Sequence, residues 1–280
     1  MSKTEIVEEG KYKFIIKRNI QSYRDEIIIH TYKIGGDYTD CINISYIYKN
    51  NKPIQAKIPH LLYESECAFG TFLERGSGTE IMIRTAIKYA YNDVGTIPIF
   101  EFDDDSHIDC FEKDMSTDAP RKPIKPLNLA YFYIAYHDKT WYEARFNAKM
   151  VNKEKYIRYR KSIEFLKEPS KKVGFIDFLQ IIGQSLDSLD KIEYLEKLYN
   201  KTETYRDFFE AIPKKKRCEI LYGWLNTFMN HYIGSVFSDR GWYIDVNHMN
   251  TNINSQIGGS SFSNNLKYRI FSYNKLSTVF

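Results

Sequence analysis

Much that would betray a function is missing from these 280 residues. No apolar run approaches the ~20 residues a membrane-spanning helix needs. Residues 1–20 are charged and hold no apolar core of signal-peptide length. The chain is therefore expected to be soluble and cytoplasmic, or part of an assembly derived from the cytoplasm. Cysteine is scarce: Cys41, Cys67, Cys110 and Cys218 lie too far apart for a CxxC zinc site or a compact disulfide framework. They are expected to be reduced thiols. The six histidines show no HxxxH or HxH spacing, so no zinc site is expected. Nor does one sign of charge dominate, since the net charge is only +4 and Lys and Arg alternate with Asp and Glu. A dedicated nucleic-acid binder concentrates its basic charge, so nucleic acid is not an expected partner. A nucleophile elbow, a Walker loop with its lysine and a Rossmann fingerprint are all absent as well.

What is abundant is aromatic. There are 23 Tyr and 18 Phe, in company with Ile, Lys and Asn. Translation of an AT-rich genome yields this mixture without functional pressure, so tyrosine patches carry little functional weight.

Along the first half, Tyr12 to Arg18, Asp25 to Lys33, Ile42 to Tyr48 and Ile54 to Ile58 have the β-branched and aromatic make-up of strands. Lys49-Asn50-Asn51-Lys52-Pro53 reads as a hairpin loop between two of them. Glu66 to Leu73 reads as a further strand running into Arg75-Gly76-Ser77-Gly78-Thr79. From there an amphipathic helix spans Glu80 to Tyr91, with Met82, Ile83, Ala86, Ile87, Ala90 and Tyr91 on one side. Gly95 ends it, Ile97 to Phe102 is a short strand, and an acidic loop, Asp103-Asp104-Asp105-Ser106, follows. Residues 111–126, with Pro120, Pro123 and Pro126, read as an extended excursion. Leu127 to Tyr136 reads as a strand, and Thr140 to Ala148 as a helix.

The period then changes. Helical stripes run through Tyr156, Tyr159, Ile163 and Leu166, through Leu189, Ile192, Leu195 and Tyr199, and through Cys218, Leu221, Leu225, Phe228, Tyr232 and Val236. Gly241 to Val246 returns as a strand. The expected fold is α/β (α+β): a mixed central sheet in a domain over 1–150, an α-helical region over 151–246 and an Asn/Ser-rich tail over 247–280.

Chemistry concentrates at the glycine loop. A small-residue loop opening a helix presents unpaired backbone N–H groups in front of a positive dipole end, a natural seat for phosphate oxygens. Arg75, Gly76, Ser77, Gly78 and Thr79 are the candidate binding residues. The same residues serve equally as a tight turn with no ligand. Glu101 and Asp103 share one face of their strand, opposite Phe100 and Phe102, and are candidate bases. The acidic loop reads foremost as solvated surface, as does the basic run Lys214-Lys215-Lys216-Arg217 that precedes a helix.

The order strand, Arg-Gly-Ser-Gly-Thr, helix, strand resembles the cofactor half of the GNAT-type N-acetyltransferases. Their Q/R-x-x-G-x-G/A loop holds the pyrophosphate of acetyl-CoA. Arg75 and Gly78 match its Arg and central Gly, while Glu80 stands where the family prefers Gly or Ala, so its carboxylate is expected to repel the phosphates. Trp141-Tyr142-Glu143-Ala144-Arg145-Phe146 is similar to the family's Tyr-x-x-x-Gly-Phe helix, with Arg145 in place of the glycine and one residue fewer. The resemblance covers about residues 65–150. It implies an acetyl-CoA-dependent N-acyltransferase acting on an amine acceptor, with Tyr142 as the acid that protonates the thiolate. The residues themselves equally allow Tyr142 a packing role. The rival expectation is a catalytically inactive structural or assembly protein, for example a virion component of a large DNA virus, which keeps the fold and meets a protein partner through its tail.

Overall fold

The computed structural model describes residues 2–23, 26–108, 126–183, 189–237 and 241–249. Residues 109–125 and 250–280, which hold most of the proline-rich excursion and of the tail, lie outside them. In chain order the strands and helices are β1 (Ser2–Glu9), β2 (Tyr12–Ser22), β3 (Ile27–Gly35), β4 (Asp40–Lys49), β5 (Lys52–Leu61), α1 (Ser77–Val94) and β6 (Ile99–Asp103). Next come β7 (His107–Ile108), β8 (Leu127–Asn128), α2 (Leu129–His137), α3 (Trp141–Phe146), β9 (Lys149–Met150), α4 (Lys153–Ser162), α5 (Phe175–Ile182) and α6 (Leu189–Tyr199). The last are α7 (Tyr205–Ala211), α8 (Arg217–Leu221), α9 (Leu225–Phe237), β10 (Gly241–Asp245) and α10 (Val246–Met249). An N-terminal mixed sheet is followed by a mainly helical C-terminal region.

Two compact units result. The first comprises Met1–Asp103, Arg145–Asn147 and the chain from Trp242, and the second Asp104–Ala144 with Ala148–Gly241. In the first, β1 to β5 form an antiparallel meander. Gly10, at a left-handed φ of 60°, and the pair Asn50 (51°) and Asn51 (59°) make its tight turns, where short polar or absent side chains tolerate that backbone. The chain then crosses over through α1, and β6 joins β5 in parallel. The strand order continues β5-β6-β10.

Alternation decides which face is buried. Phe14, Ile16, Tyr32, Ile34, Ile44, Tyr46, Ala56, Ile58, Phe100 and Phe102 are buried on their strands, and α1 buries Met82, Ile83, Ala86, Ile87 and Ala90. Each large side chain removed from water in this way contributes roughly 1.5–3 kcal/mol. Helix α1 stops at Gly95, whose φ of 75° supplies the left-handed cap and whose N–H bonds Tyr91 O.

Two segments differ from the sequence expectation. Glu66 to Leu73 is not a strand: a 3-10 turn at Ser65–Cys67 and irregular backbone replace it. A covalent bond lies in this segment. Cys67 is bonded to Cys41 at the start of β4, which also overturns the expectation of reduced thiols. Cys218 is disulfide-bonded too. Closing a loop between residues 26 apart removes unfolded-state entropy worth about 3–4 kcal/mol in the chain-entropy picture. Leu127 to Tyr136 is likewise no strand beyond its first two residues. Asn128 caps a helix there by accepting from Tyr131 N at 3.0 Å, and Leu127, Ala130, Tyr131, Ile134, Ala135 and Tyr136 are buried. That spacing of three and four is helical, and it was hidden because nearly every residue of the segment is apolar.

Beneath the C-terminal half of α1 the sheet turns polar. Arg18 donates to Asp93 at 3.2 Å, and Tyr32 donates to the same carboxylate. His30 stands across from Tyr46 in the β3–β4 register, and its ring lies 4.4 Å from that of Tyr48, tilted by 34°. Its Nδ1 is buried with no protein partner among the described residues. Burial, followed by the nearby Arg18 charge, lowers the His30 pKa below its ordinary 6.5, with Asp93 opposing. The folded state therefore binds its proton less readily than the unfolded chain does. Stability from this group is complete above pH 6.5 and declines as the pH falls below it. Thermal melts from pH 7.5 to 5 should show this decline, and His30→Gln should flatten it. An equal slope in the variant would assign the decline to other groups.

Candidate functional site

Helix α1 begins at Ser77, with Gly76 at its N-cap position. Gly76 adopts φ 82°, ψ −84°, a backbone that favours glycine, and no side chain caps the helix. The first-turn N–H groups thus face away from the helix with the dipole behind them. Arg75 is exposed, with its guanidinium 5.9 Å from the centre of the Tyr63 ring. Ser77 is exposed and donates to Glu74 at 3.2 Å, while Glu74 also pairs with Lys11. These bonds hold the Glu74 carboxyl below its usual range, the Lys11 hydrogen bond foremost. Thr79 is half-exposed on the first turn.

Gly78 is needed for another reason as well. A β-carbon there would stand 3.0 Å from Leu73 Cδ1 and 3.1 Å from the Tyr12 hydroxyl. Leu73 and Tyr12 are both buried, so a larger residue at 78 would disturb packing.

Glu80 does not present a bare carboxylate. It accepts from Arg84 Nη2 at 2.8 Å and Nε at 3.0 Å, and Arg145 Nη1 lies 3.4 Å away. Arg84 is itself fixed by the carbonyls of Met249 (2.7 Å) and Arg145, with its guanidinium 4.9 Å from the Phe146 ring centre. The expected repulsion of phosphates by Glu80 is thereby offset by two cations. Arg145, where the resemblance has glycine, is one of them and comes from 65 residues further along the chain.

Along β6, Phe100 and Phe102 are buried, Glu101 is half-buried and Asp103 is exposed at the carboxyl end. Glu101 accepts from Gln55 Nε2 at 2.7 Å. The β5–β6 register runs through Ala56–Phe100, Lys57–Glu101 and Ile58–Phe102. Beyond Ile58, β5 continues to Leu61 in register with β4. The parallel pair thus ends before β5 does, on the side of the sheet where α1 begins its crossover.

The loop, Glu101 and Asp103 therefore share the first unit, whereas Tyr142 belongs to the second. Tyr142 is buried, stacked edge-on against Trp141 at 5.0 Å and hydrogen-bonded to Ser106. Burial, then the Asp104 charge, pushes its pKa well above 10. A phenol so held gives up its proton reluctantly. Tyr142→Phe should keep the ring packing and cost about 1 kcal/mol for the lost hydrogen bond, with no change in any acyl transfer. A drop of about 10²–10⁴-fold in turnover, read in a stopped thiol-release assay, would establish the acid role.

A second constellation went unnoticed in the sequence. Glu143, buried on α3, accepts from Thr140 N (2.7 Å), Tyr159 Oη (2.7 Å) and Tyr156 Oη (3.0 Å), with Arg160 3.6 Å away. Thr140 returns the bond to Glu143 N at 3.1 Å, so the pair caps α3 reciprocally. The signal Thr-x-x-Glu was present at 140–143. Of the basic run, Lys214, Lys215 and Lys216 are exposed, whereas Arg217 lies 3.7 Å above the Tyr136 ring and bonds Ile212 O. Among the described residues no three His, Cys, Asp or Glu side chains gather to hold a metal ion. No helix among them is long and apolar enough to cross a membrane.

The chain matches no family model, no curated protein and no solved structure. What the fold defines is a class, an α+β protein with an N-terminal mixed sheet and a C-terminal helical region.

Proposed function

We propose that this protein is an acetyltransferase-like binder of acyl-CoA, with the pyrophosphate seated on the first-turn amides of α1. The observation that carries the reading is the β5–α1–β6 crossover, the one parallel step among the ladders of β1 to β6. It joins an uncapped helix start to the carboxyl end of a strand pair whose register stops at Ile58–Phe102. In open sheets with such crossovers, ligands bind outside the carboxyl ends of the strands. Transfer to an amine would need a base to take the amine's proton as nitrogen attacks the thioester carbon and the thiolate leaves. Asp103, exposed at the end of β6, is the carboxylate best placed in the strand for that work.

A non-catalytic assembly component with the same arrangement is the second reading. It is favoured by the burial of Tyr142, which leaves the implied acid unsuited to its task.

Calorimetry with acetyl-CoA tests the first reading, and Thr79→Glu gives it a control that spares the fold. A carboxylate on the first turn favours the helix by about 0.3–1 kcal/mol, so the melting temperature should hold or rise. The same charge should weaken acetyl-CoA by about tenfold or more through repulsion of the pyrophosphate. Absence of binding by the unmodified protein, or equal affinity in the folded variant, would refute the phosphate seat. Binding without turnover against a broad amine panel would favour the second reading.

A further inference from the structure

We infer that the Cys41–Cys67 bond is made by thiol–disulfide exchange with an oxidised carrier before the segment 62–76 packs. The bond lies inside the first unit and both cysteines are completely buried. The segment closes over it from several directions. Leu62 N donates to Cys41 O at 2.8 Å, Phe69 N to Lys13 O at 2.7 Å and Leu73 N to Ser65 O at 2.7 Å. Glu64 N points at Cys67 Sγ from 3.2 Å, and Tyr63 Oη donates to Leu73 O at 3.1 Å. On the other side Gly36 lies so close that a β-carbon there would be 1.9 Å from Glu66 O. Cys67 is therefore enclosed between the β3–β4 turn and its own loop.

Disulfides form and break by attack of a thiolate on sulfur, through a mixed disulfide, and access governs the rate. A protein-sized carrier cannot reach either sulfur in this packing. The forward path is closed by the same atoms as the reverse path, so the exchange belongs to a state in which 62–76 is still open. The first thiolate of the pair attacks the carrier's disulfide, forming the mixed disulfide and expelling one carrier thiolate. The second, having lost its proton, attacks the sulfur of the first and expels the other carrier thiol. Two electrons and two protons pass from Cys41 and Cys67 to the carrier, which leaves as a dithiol. A dithiol–disulfide oxidoreductase is a carrier class that fits this exchange in the open state. Small thiols buffered to a reducing poise would not close the bond.

The test uses the full chain, reduced and denatured, then diluted into refolding buffer. An oxidised dithiol–disulfide oxidoreductase is added either at dilution or after refolding has gone to completion. The 41–67 cross-link is followed by acid quench, alkylation and peptide mapping. Addition at dilution should give rapid cross-linking, and late addition should give a rate roughly tenfold or more slower, set by reopening of the segment. Equal rates would overturn the order of events. Cys41 and Cys67 found alkylated in native protein that was denatured without reductant would overturn the bond itself.

Discussion

Glu143→Ala is expected to be among the most damaging single changes in the second unit, at about 3–5 kcal/mol. The carboxylate is 5% exposed and receives the Tyr159 and Tyr156 hydroxyls and the Thr140 amide, beside the Arg160 guanidinium. Alanine would remove the carboxylate that accepts from two phenols and a buried amide and that stands beside Arg160. It is the unmade bonds that are expensive, more than the made ones are stabilising. Tyr159 is especially exacting, since it is wholly buried and its pKa is raised well above 10 by burial and by Glu143 itself. Urea melts should show the midpoint falling with an unchanged slope. Glu143→Gln, which keeps an acceptor oxygen, should lose no more than about half as much. If alanine and glutamine cost the same small amount, the constellation is not a stability element.

Gly36→Ala should rank beside it in the first unit. A single methyl there would sit 1.9 Å from Glu66 O, 3.1 Å from its carbonyl carbon and 3.2 Å from Ala68 O. All three are backbone atoms of a segment tied to β4 by the disulfide, so none can rotate aside. Overpacking against backbone is expected to cost about 3–5 kcal/mol, beyond the usual range for a surface turn. Melts of the purified variant check this, and Gly10→Ala provides the contrast. Gly10 has open space around its β position, so only its left-handed φ of 60° is at stake and the loss should stay near 1 kcal/mol. A loss below about 1 kcal/mol for Gly36→Ala would mean that the turn slides away from the loop at little cost.

These two sites also mark where the sequence could be read and where it could not. The strands at 12–18, 42–48 and 54–58 announce themselves by β-branched alternation, and α1 by its spacing and by Gly95. The Thr140–Glu143 cap has a legible local pattern, but Tyr156 and Tyr159 reach it from the next helix. The importance of Gly36 is invisible, because its neighbour Glu66 comes from 30 residues away through a cross-link that no cysteine spacing advertised. At the candidate site the helix start was legible from Arg75 to Thr79. The pairing of Glu80 with Arg84 one turn on was legible too, whereas that with Arg145 was not, because Arg145 is remote in sequence. Residues 127–136 failed for a different reason: a run apolar on all sides has no period to read, and only the Asn128 cap discloses the helix.

The interrupted layout of the first unit bears on how a ribosome delivers it. The chain leaves that unit after Asp103 and re-enters it for good only at Trp242, apart from three residues at 145–147. Strand β10, which lies beside β6, is therefore made long after it. At a synthesis rate of about 5–20 residues per second, the hundred and more residues between them take roughly 7–28 s to appear. For that interval the nascent meander carries β6 as an open edge, with its amides and carbonyls available to any neighbouring strand. A stop codon placed before 242 would make that interval permanent, so prematurely terminated chains should partition into aggregates or onto chaperones, whereas chains ending just after 249 should not.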